Sequence, residues 1–466
     1  MRNDRTVGIA GAIAVVAGSM LGIGIFLTPP LVATYIHDPL LYIFLWLAGG
    51  FIAYSGAVVY AELATRYPKS GGDYTYIRRA FGKSASFAAG TILYAGIFAG
   101  SAAAMAVPLA EYQLPILLSP LVKFEAQYVF FDAGIFRLTG AGALGIVLLL
   151  LFTTLNVVGT KLSVNTQLIL TLVPVISLTA GSVYLLSTQS FELPLHSSVE
   201  NANISFWSGT SRATLAIYFT YAGWNALSYI ASEIKEPQKN IPISLFVGIF
   251  SITVLYMLLA ATFYIALGPL ELANTTEAGS ALAATLNSTT IYMLTIFVMV
   301  LALAGSLNST ILGGSYTGFA VARNHTTYKA IAVRHSRFNT PSRSIWLMFI
   351  MSSLYITTGS FEMLIELTGL AMFLLSGLTV LSLFIIRYRS DKPSPYSATA
   401  YPWIPGFFLV VSVAIIGNGL YRGFLGSDSF TAPTVYPLIG LFLFFGLWAI
   451  HAIATNRKRA RKSTNN

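Results

Sequence analysis

The sequence predicts an all-α membrane protein of twelve transmembrane helices. Three observations lead there. Of 466 residues, 55% are hydrophobic and only 9% charged, against about 25% charged in a soluble domain. The mean hydropathy is +0.72. The apolar residues also fall into runs long enough to cross a bilayer, which takes about 20 residues of helix. A surface this poor in charge cannot be held in water. A soluble enzyme, a disordered chain and a nucleic-acid-binding domain are excluded together.

Runs between charged or Pro/Gly-rich breaks lie near 7–36, 40–62, 84–111, 139–158, 163–187, 211–232, 243–268, 288–322, 343–359, 362–387, 403–422 and 433–454. The first and eighth exceed one bilayer thickness, so tilt, breaks or extra turns are expected in them. Orientation follows from the basic residues. With the N-terminus cytoplasmic, all of them but Lys123, Arg137, Arg212 and Arg422 fall on the cytoplasmic side, including the tail Arg457 to Lys462. An even span count with both termini inside fits that split, as expected of a plasma (inner) membrane protein. The opening MRNDRTVGIAGAIAVVAG starts like a signal peptide, but its apolar stretch runs on into GIGIF as a spanning segment does.

The chain has no cysteine and five scattered histidines, so neither thiolate chemistry nor a histidine metal site is expected. No cofactor is expected, and no nucleotide-binding loop or separate soluble domain is visible. Asn203, Asn274 and Asn287 each open an N-x-Ser/Thr triplet on the expected outer side; chance is the better explanation of such triplets than glycosylation. The segment 112–138 carries Phe124, Tyr128, Phe130, Phe131 and Phe136 and is expected to lie along the outer interface.

Two spans carry signs of interruption. The first contains Gly18-Ser19-Met20-Leu21-Gly22-Ile23-Gly24; each glycine weakens a helix by roughly 1 kcal/mol. A small-residue packing face is the alternative. The sixth contains Phe219-Thr220-Tyr221-Ala222-Gly223-Trp224-Asn225. Irregular backbone at mid-depth survives only where it lines a cavity. Spans one and six are five apart, which suggests a five-helix repeat (1–190), an inverted second copy (211–390), two further helices (400–455) and a basic cytoplasmic tail (456–466). Paired interruptions in inverted halves point to a transporter's binding site.

Four blocks then carry a specific resemblance: GSMLGIGIF (18–26), YAELATRYPKSGGDYTYIRRAFG (60–82), YAGWNALSYIASEIKEPQKNIP (221–242) and LNSTILGGSYTGFAVAR (307–323). In that order they resemble the first helix, the second helix with its loop, the sixth helix with its loop, and the eighth helix of the amino acid–polyamine–organocation transporter superfamily. The resemblance implies alternating access around a midplane site between broken helices one and six. Backbone N–H groups at Gly22–Gly24 would hold a substrate carboxylate, aided by the helix dipole. Most relatives place Ser between these glycines; Ile23 stands here, so recognition rests on backbone donors, with Ser19 as a possible supplement. Carbonyls around Met20, Phe219 and Ala222 would receive the ammonium. Phe219 matches an aromatic that covers substrate, Trp224 and Tyr221 flank it, and Asn225 occupies a position acidic in some relatives. For each aromatic, ordinary packing is the alternative.

Charge placement narrows the substrate. The acidic residues fall outside the spans or near their ends, with Glu62, Glu111, Glu233 and Glu366 closest. A buried cation or anion would want an opposite partner at mid-depth, so a zwitterion with a neutral side chain fits best. Glu62 and Glu233, near Arg66, Lys69 and Lys235, would form a cytoplasmic gate or merely solvated helix ends. Several relatives carry a helix-five lysine in place of a sodium ion; that position aligns with Pro174. A sodium site could instead form from carbonyls of Gly18 and Leu21 with hydroxyls of Ser306, Ser309 or Thr310, oxygen ligands that suit a hard cation. The coupling ion, sodium or proton, stays open. An amine or polyamine carrier and a non-transporting amino acid sensor are the competing readings.

Overall fold

Proline, glycine and polar residues end the helices where they punctuate the apolar runs. The computed structural model describes residues 5–120, 124–188, 206–359, 361–390, 393–424 and 432–463. Asn203 and the side chains of Glu366 and of Arg457 to Lys462 lie outside that description.

The chain opens with α1 (Ile9–Met20) and α2 (Gly24–Tyr35), which meet at a bend of 41°. Next, α3 (Pro39–Arg66) begins at a proline and is capped by the Asp38 carboxylate, which accepts the Leu41 N–H at 2.6 Å. After the short α4 (Asp73–Phe81), α5 (Lys83–Leu118) runs through two π-helical turns, Ile92–Phe98 and Leu109–Gln113. A hairpin follows, β1 (Val129–Ala133) paired antiparallel with β2 (Phe136–Thr139). The expected interfacial segment is thus a hairpin. Aromatic and β-branched residues either side of Gly134 favour pairing, and Tyr128, Phe130, Phe131 and Phe136 are exposed on it.

Then come α6 (Gly140–Val158) and α7 (Thr160–Thr188), followed by α8 (Phe206–Thr220) and α9 (Ala226–Tyr229), which flank the second interruption. The chain continues through α10 (Pro237–Leu267), α11 (Pro269–Asn274), α12 (Ala278–Thr285), α13 (Thr289–Asn324) and α14 (Ser342–Thr357). It closes with α15 (Phe361–Arg389), α16 (Trp403–Phe424) and α17 (Ala432–Ser463).

Among the described residues, nine helices are long and apolar enough to cross a bilayer, ten when α1 and α2 count as one bent span. The expected spans 211–232 and 343–359 form helices of 15 and 16 residues, α8 and α14, which fall short of that length. The first is cut by the interruption at 221–225, and the second ends at Thr357, just before Gly359.

Helix α1 packs on α7, α10 and α13, while α2 packs on α8 and α11. Both interruptions therefore sit inside the bundle. Large apolar side chains point outward from its perimeter, including Leu151 on α6, Ile176 on α7, Phe250 on α10 and Val413 on α16. In water that surface would aggregate; in a bilayer it faces lipid. The chain is an all-α integral membrane protein.

Candidate substrate site

At the first interruption the backbone leaves helix geometry at Leu21. The Gly22 N–H turns back to the Met20 carbonyl at 2.9 Å, and the Ile23 carbonyl takes the N–H groups of Phe26 (3.0 Å) and Leu27 (3.2 Å). The N–H groups of Ile23, Gly24 and Ile25 meet no acceptor among the described residues. The open donors therefore lie one residue further along than the Gly22–Gly24 set expected from sequence, because Gly22 closes a tight turn. They form the first turn of α2, where the positive end of the helix dipole adds to them.

At the second interruption Gly223 has φ +98°, and a Cβ there would lie 2.5 Å from the Ser19 carbonyl oxygen. Only glycine allows both that backbone conformation and that approach. The Ser19 hydroxyl lies 2.7 Å from the Gly223 carbonyl and 2.8 Å from the Val16 carbonyl, so it donates within the fold and ties the two interruptions together. Tyr256 of α10 does likewise, reaching the Met20 carbonyl at 2.5 Å and the Thr220 carbonyl at 3.3 Å. The Met20 carbonyl is thus doubly engaged, and the Phe219 carbonyl accepts the Ala222 N–H at 3.0 Å. Of the three carbonyls expected to receive an ammonium, Ala222 keeps its oxygen open among the described residues.

Beside this junction lies a cavity of about 120 Å³, lined among others by Ser19, Ala222, Gly223 and Asn225 together with Phe98, Ser101 and Met105 of α5. The first π turn of α5 places Leu93, Ile97 and Phe98 on its wall. Gly22, Ile23 and Gly24 are half-buried and stand outside this lining. Phe219 also stands outside it, 39% exposed and edge-on to Phe373 at 5.6 Å. Trp224 points away from the cavity, buried against Tyr60 at 4.8 Å and Phe408 at 5.8 Å. That is the packing alternative for this aromatic.

The expected cation ligands are spread around the same region. Ser309 and Thr310 line the cavity. The Ser306 hydroxyl reaches the Ser19 carbonyl at 3.4 Å, and the Ser309 hydroxyl reaches the Val15 carbonyl at 3.3 Å. Thr310 faces the Met105 sulfur at 3.6 Å. The carbonyls of Gly18 and Leu21 accept no hydrogen bond among the described residues. The α7 side chains that reach this point are Gln167 and Thr171, both against Gly18, rather than Pro174. Gln167 continues a buried neutral chain: Asn308 donates to it at 2.8 Å and accepts from Asn156 at 2.9 Å and Ser163 at 3.0 Å, while Thr171 donates to the Ala14 carbonyl at 3.1 Å.

Two acidic side chains behave differently from expectation. Glu62 is fully buried and is held by the Arg387 Nε at 3.0 Å, a second Arg387 nitrogen, Arg66 at 3.3 Å and the Ala398 N–H at 2.8 Å. Glu233 pairs with Arg334 at 2.9 Å. The strong partners are distant in sequence, Arg387 near the end of α15 and Arg334 in the segment before α14, not Lys69 or Lys235. Asp73 was not among the four acids expected closest to the spans, yet it is 1% exposed and lines the cavity. Burial pushes its carboxyl above the usual range, opposed by hydrogen bonds from Thr379, Tyr229 and Tyr60.

The end of the bundle that carries most of the basic residues is closed. Val7 and residues 233–235 pair as a short parallel bridge (3.0 and 2.9 Å), the Gly71 N–H donates to the Tyr229 carbonyl at 2.9 Å, and Ser70 meets Ser232 at 2.6 Å.

A broken first helix packed directly against a second interruption, with a small, mostly apolar cavity beside them, fits the family pattern that the sequence blocks resemble. The sequence profile of the Amino acid permease family matches residues 8–450. The chain belongs to the amino acid permease family. As a permease it is a transporter rather than an enzyme. It is 28% identical over 400 residues to the human large neutral amino acids transporter small subunit 2, covering 84% of this chain and 71% of that protein. It is 26% identical to the mouse b(0,+)-type amino acid transporter 1, covering 89% and 82%. It is 24% identical to the serine/threonine exchanger SteT of Bacillus subtilis (strain 168), covering 95% and 97%.

Proposed function

We propose that this permease exchanges amino acids with neutral side chains by alternating access around a site between its two interruptions. The supporting observation is that the two interruptions, tied together through Ser19 and Gly223, leave polar groups of opposite kind open. The open N–H groups of Ile23, Gly24 and Ile25 suit a carboxylate, and the open Ala222 carbonyl suits an ammonium. The names of the human and Bacillus subtilis relatives, a large neutral amino acid transporter subunit and a serine/threonine exchanger, favour the same substrates. Asp73 does not argue for a cationic side chain, because three hydroxyls already occupy its oxygens. Residues 1–190 and 211–390 act as inverted halves in this proposal. Both termini face the cytoplasm, and the contacts around Val7, Ser70 and Glu233 form the inner gate. Phe219, exposed beside the second interruption, would fold over bound substrate. A sodium ion would take its oxygens from Gly18, Leu21, Ser306, Ser309 and Thr310.

Counterflow into proteoliposomes preloaded with single amino acids or amines tests this. Neutral amino acids are expected to drive accumulation, and replacing sodium by choline tests the oxygen cluster. Accumulation by amines alone would overturn the carboxylate assignment. Binding without counterflow in folded protein would indicate a sensor.

A further inference from the structure

One buried charge is not used by the substrate reading. Asp73 starts α4, between the spans α3 and α5, and is 1% exposed. Its Oδ1 accepts from the Tyr60 hydroxyl and from Thr379 Oγ1 at 2.6 Å; its Oδ2 accepts from the Tyr229 hydroxyl. All three donors are neutral. The ion pairs among the described residues engage Glu62, Glu233 and Asp132, and none reaches Asp73. The titratable groups that face it are Tyr60 from α3, Tyr76 from its own helix, Tyr229 from α9 and Tyr218 from α8, while α15 contributes only Thr379. A carboxylate without a cation in such surroundings costs several kcal/mol to keep ionised, and it can discharge that cost by taking a proton.

Asp73 is joined to the cavity by hydrogen bonds and opens on it. Asn225 lines the cavity, its Nδ2 donates to the Tyr229 hydroxyl at 3.1 Å, and Tyr229 donates to Asp73. Asp73 itself also touches the cavity.

We propose that Asp73 is a proton-binding site opening on the substrate cavity, and that its protonation loosens the hold on α9. This rests on the cavity being the substrate's. The step is simple addition: a proton from cavity water bonds to a carboxylate oxygen, and the local charge changes from −1 to 0. Oδ1 already accepts two hydrogen bonds and Oδ2 only one, so the proton goes to Oδ2, which becomes a hydroxyl and a poorer acceptor, and the bond from Tyr229 weakens or reverses. Tyr229 sits at the end of α9, and its carbonyl holds the Gly71 N–H of the closed end at 2.9 Å. A change of polarity at one hydroxyl therefore reaches the inner closure directly.

The test measures neutral amino acid counterflow at equal inner and outer pH from about pH 5 to about pH 8, for wild type, Asp73→Asn and Asp73→Glu. Wild-type exchange should fall about tenfold per pH unit above one midpoint. Asp73→Asn should run with a flat profile, and Asp73→Glu should titrate with a moved midpoint. Melting of the purified protein gives an independent readout. The native pKa of Asp73 is raised, so its contribution to stability is full below about pH 4 and is lost as pH rises through the native pKa. Asp73→Asn should remove that loss.

An unchanged wild-type pH profile in Asp73→Asn, in both transport and melting, overturns the proposal. So does selective loss in Asp73→Asn of sodium stimulation or of lysine-driven counterflow, which would assign the site to a metal cation or a substrate ammonium. Should Asp73→Asn fail to fold, Tyr229→Phe takes its place. It removes a donor that favours the ionised form, so the midpoint must rise. A midpoint unmoved in both Tyr229→Phe and Asp73→Glu overturns the proposal equally. Failure of every neutral amino acid in wild type would instead refute the proposed function, and the melting comparison would still decide the role of Asp73.

Discussion

Gly223→Ala isolates the contact that joins the two interruptions. At φ +98° an alanine carries backbone strain, on the order of 1–3 kcal/mol for a non-glycine residue in a sparsely populated region. At about 1.4 kcal/mol per tenfold, that alone lowers the population of the present arrangement roughly 5- to 150-fold. The new Cβ also lies 2.5 Å from the Ser19 carbonyl oxygen, 2.8 Å from the carbonyl carbon and 3.2 Å from Ser19 Cβ. Two of these atoms are backbone, so α1 and the 221–225 segment must separate, and the Ser19–Gly223 hydrogen bond goes with them. Gly82→Ala is the matched control, with φ +89° and no atom within 4 Å of its Cβ. Counterflow KM and maximal rate, read beside melting temperature, separate the two effects. Both variants should melt lower, but Gly223→Ala alone should raise KM by tenfold or more. Folded Gly223→Ala with wild-type KM, or an equal KM change in Gly82→Ala, would refute the joint as the place where substrate binds.

Other substitutions test other parts of the structure. Glu62→Gln should lower stability by about 3 kcal/mol, the lower end for breaking a buried pair, since Arg387 keeps 23% side-chain exposure; denaturation in mild detergent reads it. Tyr256→Phe removes one hydroxyl from the Met20 and Thr220 carbonyls, so about 1 kcal/mol is lost and exchange should slow by several-fold while the protein stays folded. At the basic end, His325 has its pKa pushed down to about 4 by burial, with His451, Arg78 and Lys83 adding to it. Its stabilising effect is present above about pH 6.5 and lost as pH falls toward the native pKa. His325→Gln should therefore flatten the fall in melting temperature between pH 7 and about pH 4.5.

Glycine clusters made the helix interruptions legible, because a run such as Gly18 to Gly24 opposes helix locally whatever packs around it. Local chemistry could not tell which N–H groups stay open. That depends on Gly22 turning back to Met20, a choice made by the whole bundle. Trp224 illustrates the same limit: an aromatic beside a break reads as a site residue until Gly56, Tyr60 and Phe408 are seen to enclose it. Asp73 was hidden by its neighbours in sequence. Lys69, Arg78 and Arg79 make 69–79 look like a polar loop, while the groups that bury Asp73 lie on α3, α9 and α15. A signal was available in the tyrosines of YAELATRYPKSGGDYTY, more aromatic hydroxyls than a solvated loop needs. Arg387 reaches Glu62, and Tyr256 reaches Met20, across more than two hundred residues, and no pattern in the sequence singles them out.

The strengths of the contacts divide the bundle into parts that stay and parts that can move. Among the described residues, the closure at the basic end is made of neutral hydrogen bonds (Gly71 to Tyr229, Ser70 to Ser232, Val7 to residues 233–235) with one ion pair, Arg334–Glu233, whose arginine is 29% exposed. Each neutral bond contributes about 1 kcal/mol net, and the bond between the partly exposed Arg334 and the buried Glu233 about 1.5–3 kcal/mol, as for hydrogen bonds to charged groups. A substrate that favours the open form by a few kcal/mol can therefore shift the balance. The Glu62–Arg387 pair is of another kind: Glu62 is fully buried and bidentate, and the pair joins α3 to α15 without crossing the 70–72 or 229–235 segments. It serves as a fixed strut. On the proposed cycle α1 and α9 would move together, because Ser19–Gly223 and Tyr256 couple the interruptions on which they end, while α3 and α15 stay. Asp73 sits where these two groups meet, bonded to Tyr60 and Thr379 on the fixed side and to Tyr229 on the moving one. A proton there acts at the boundary that transport has to open.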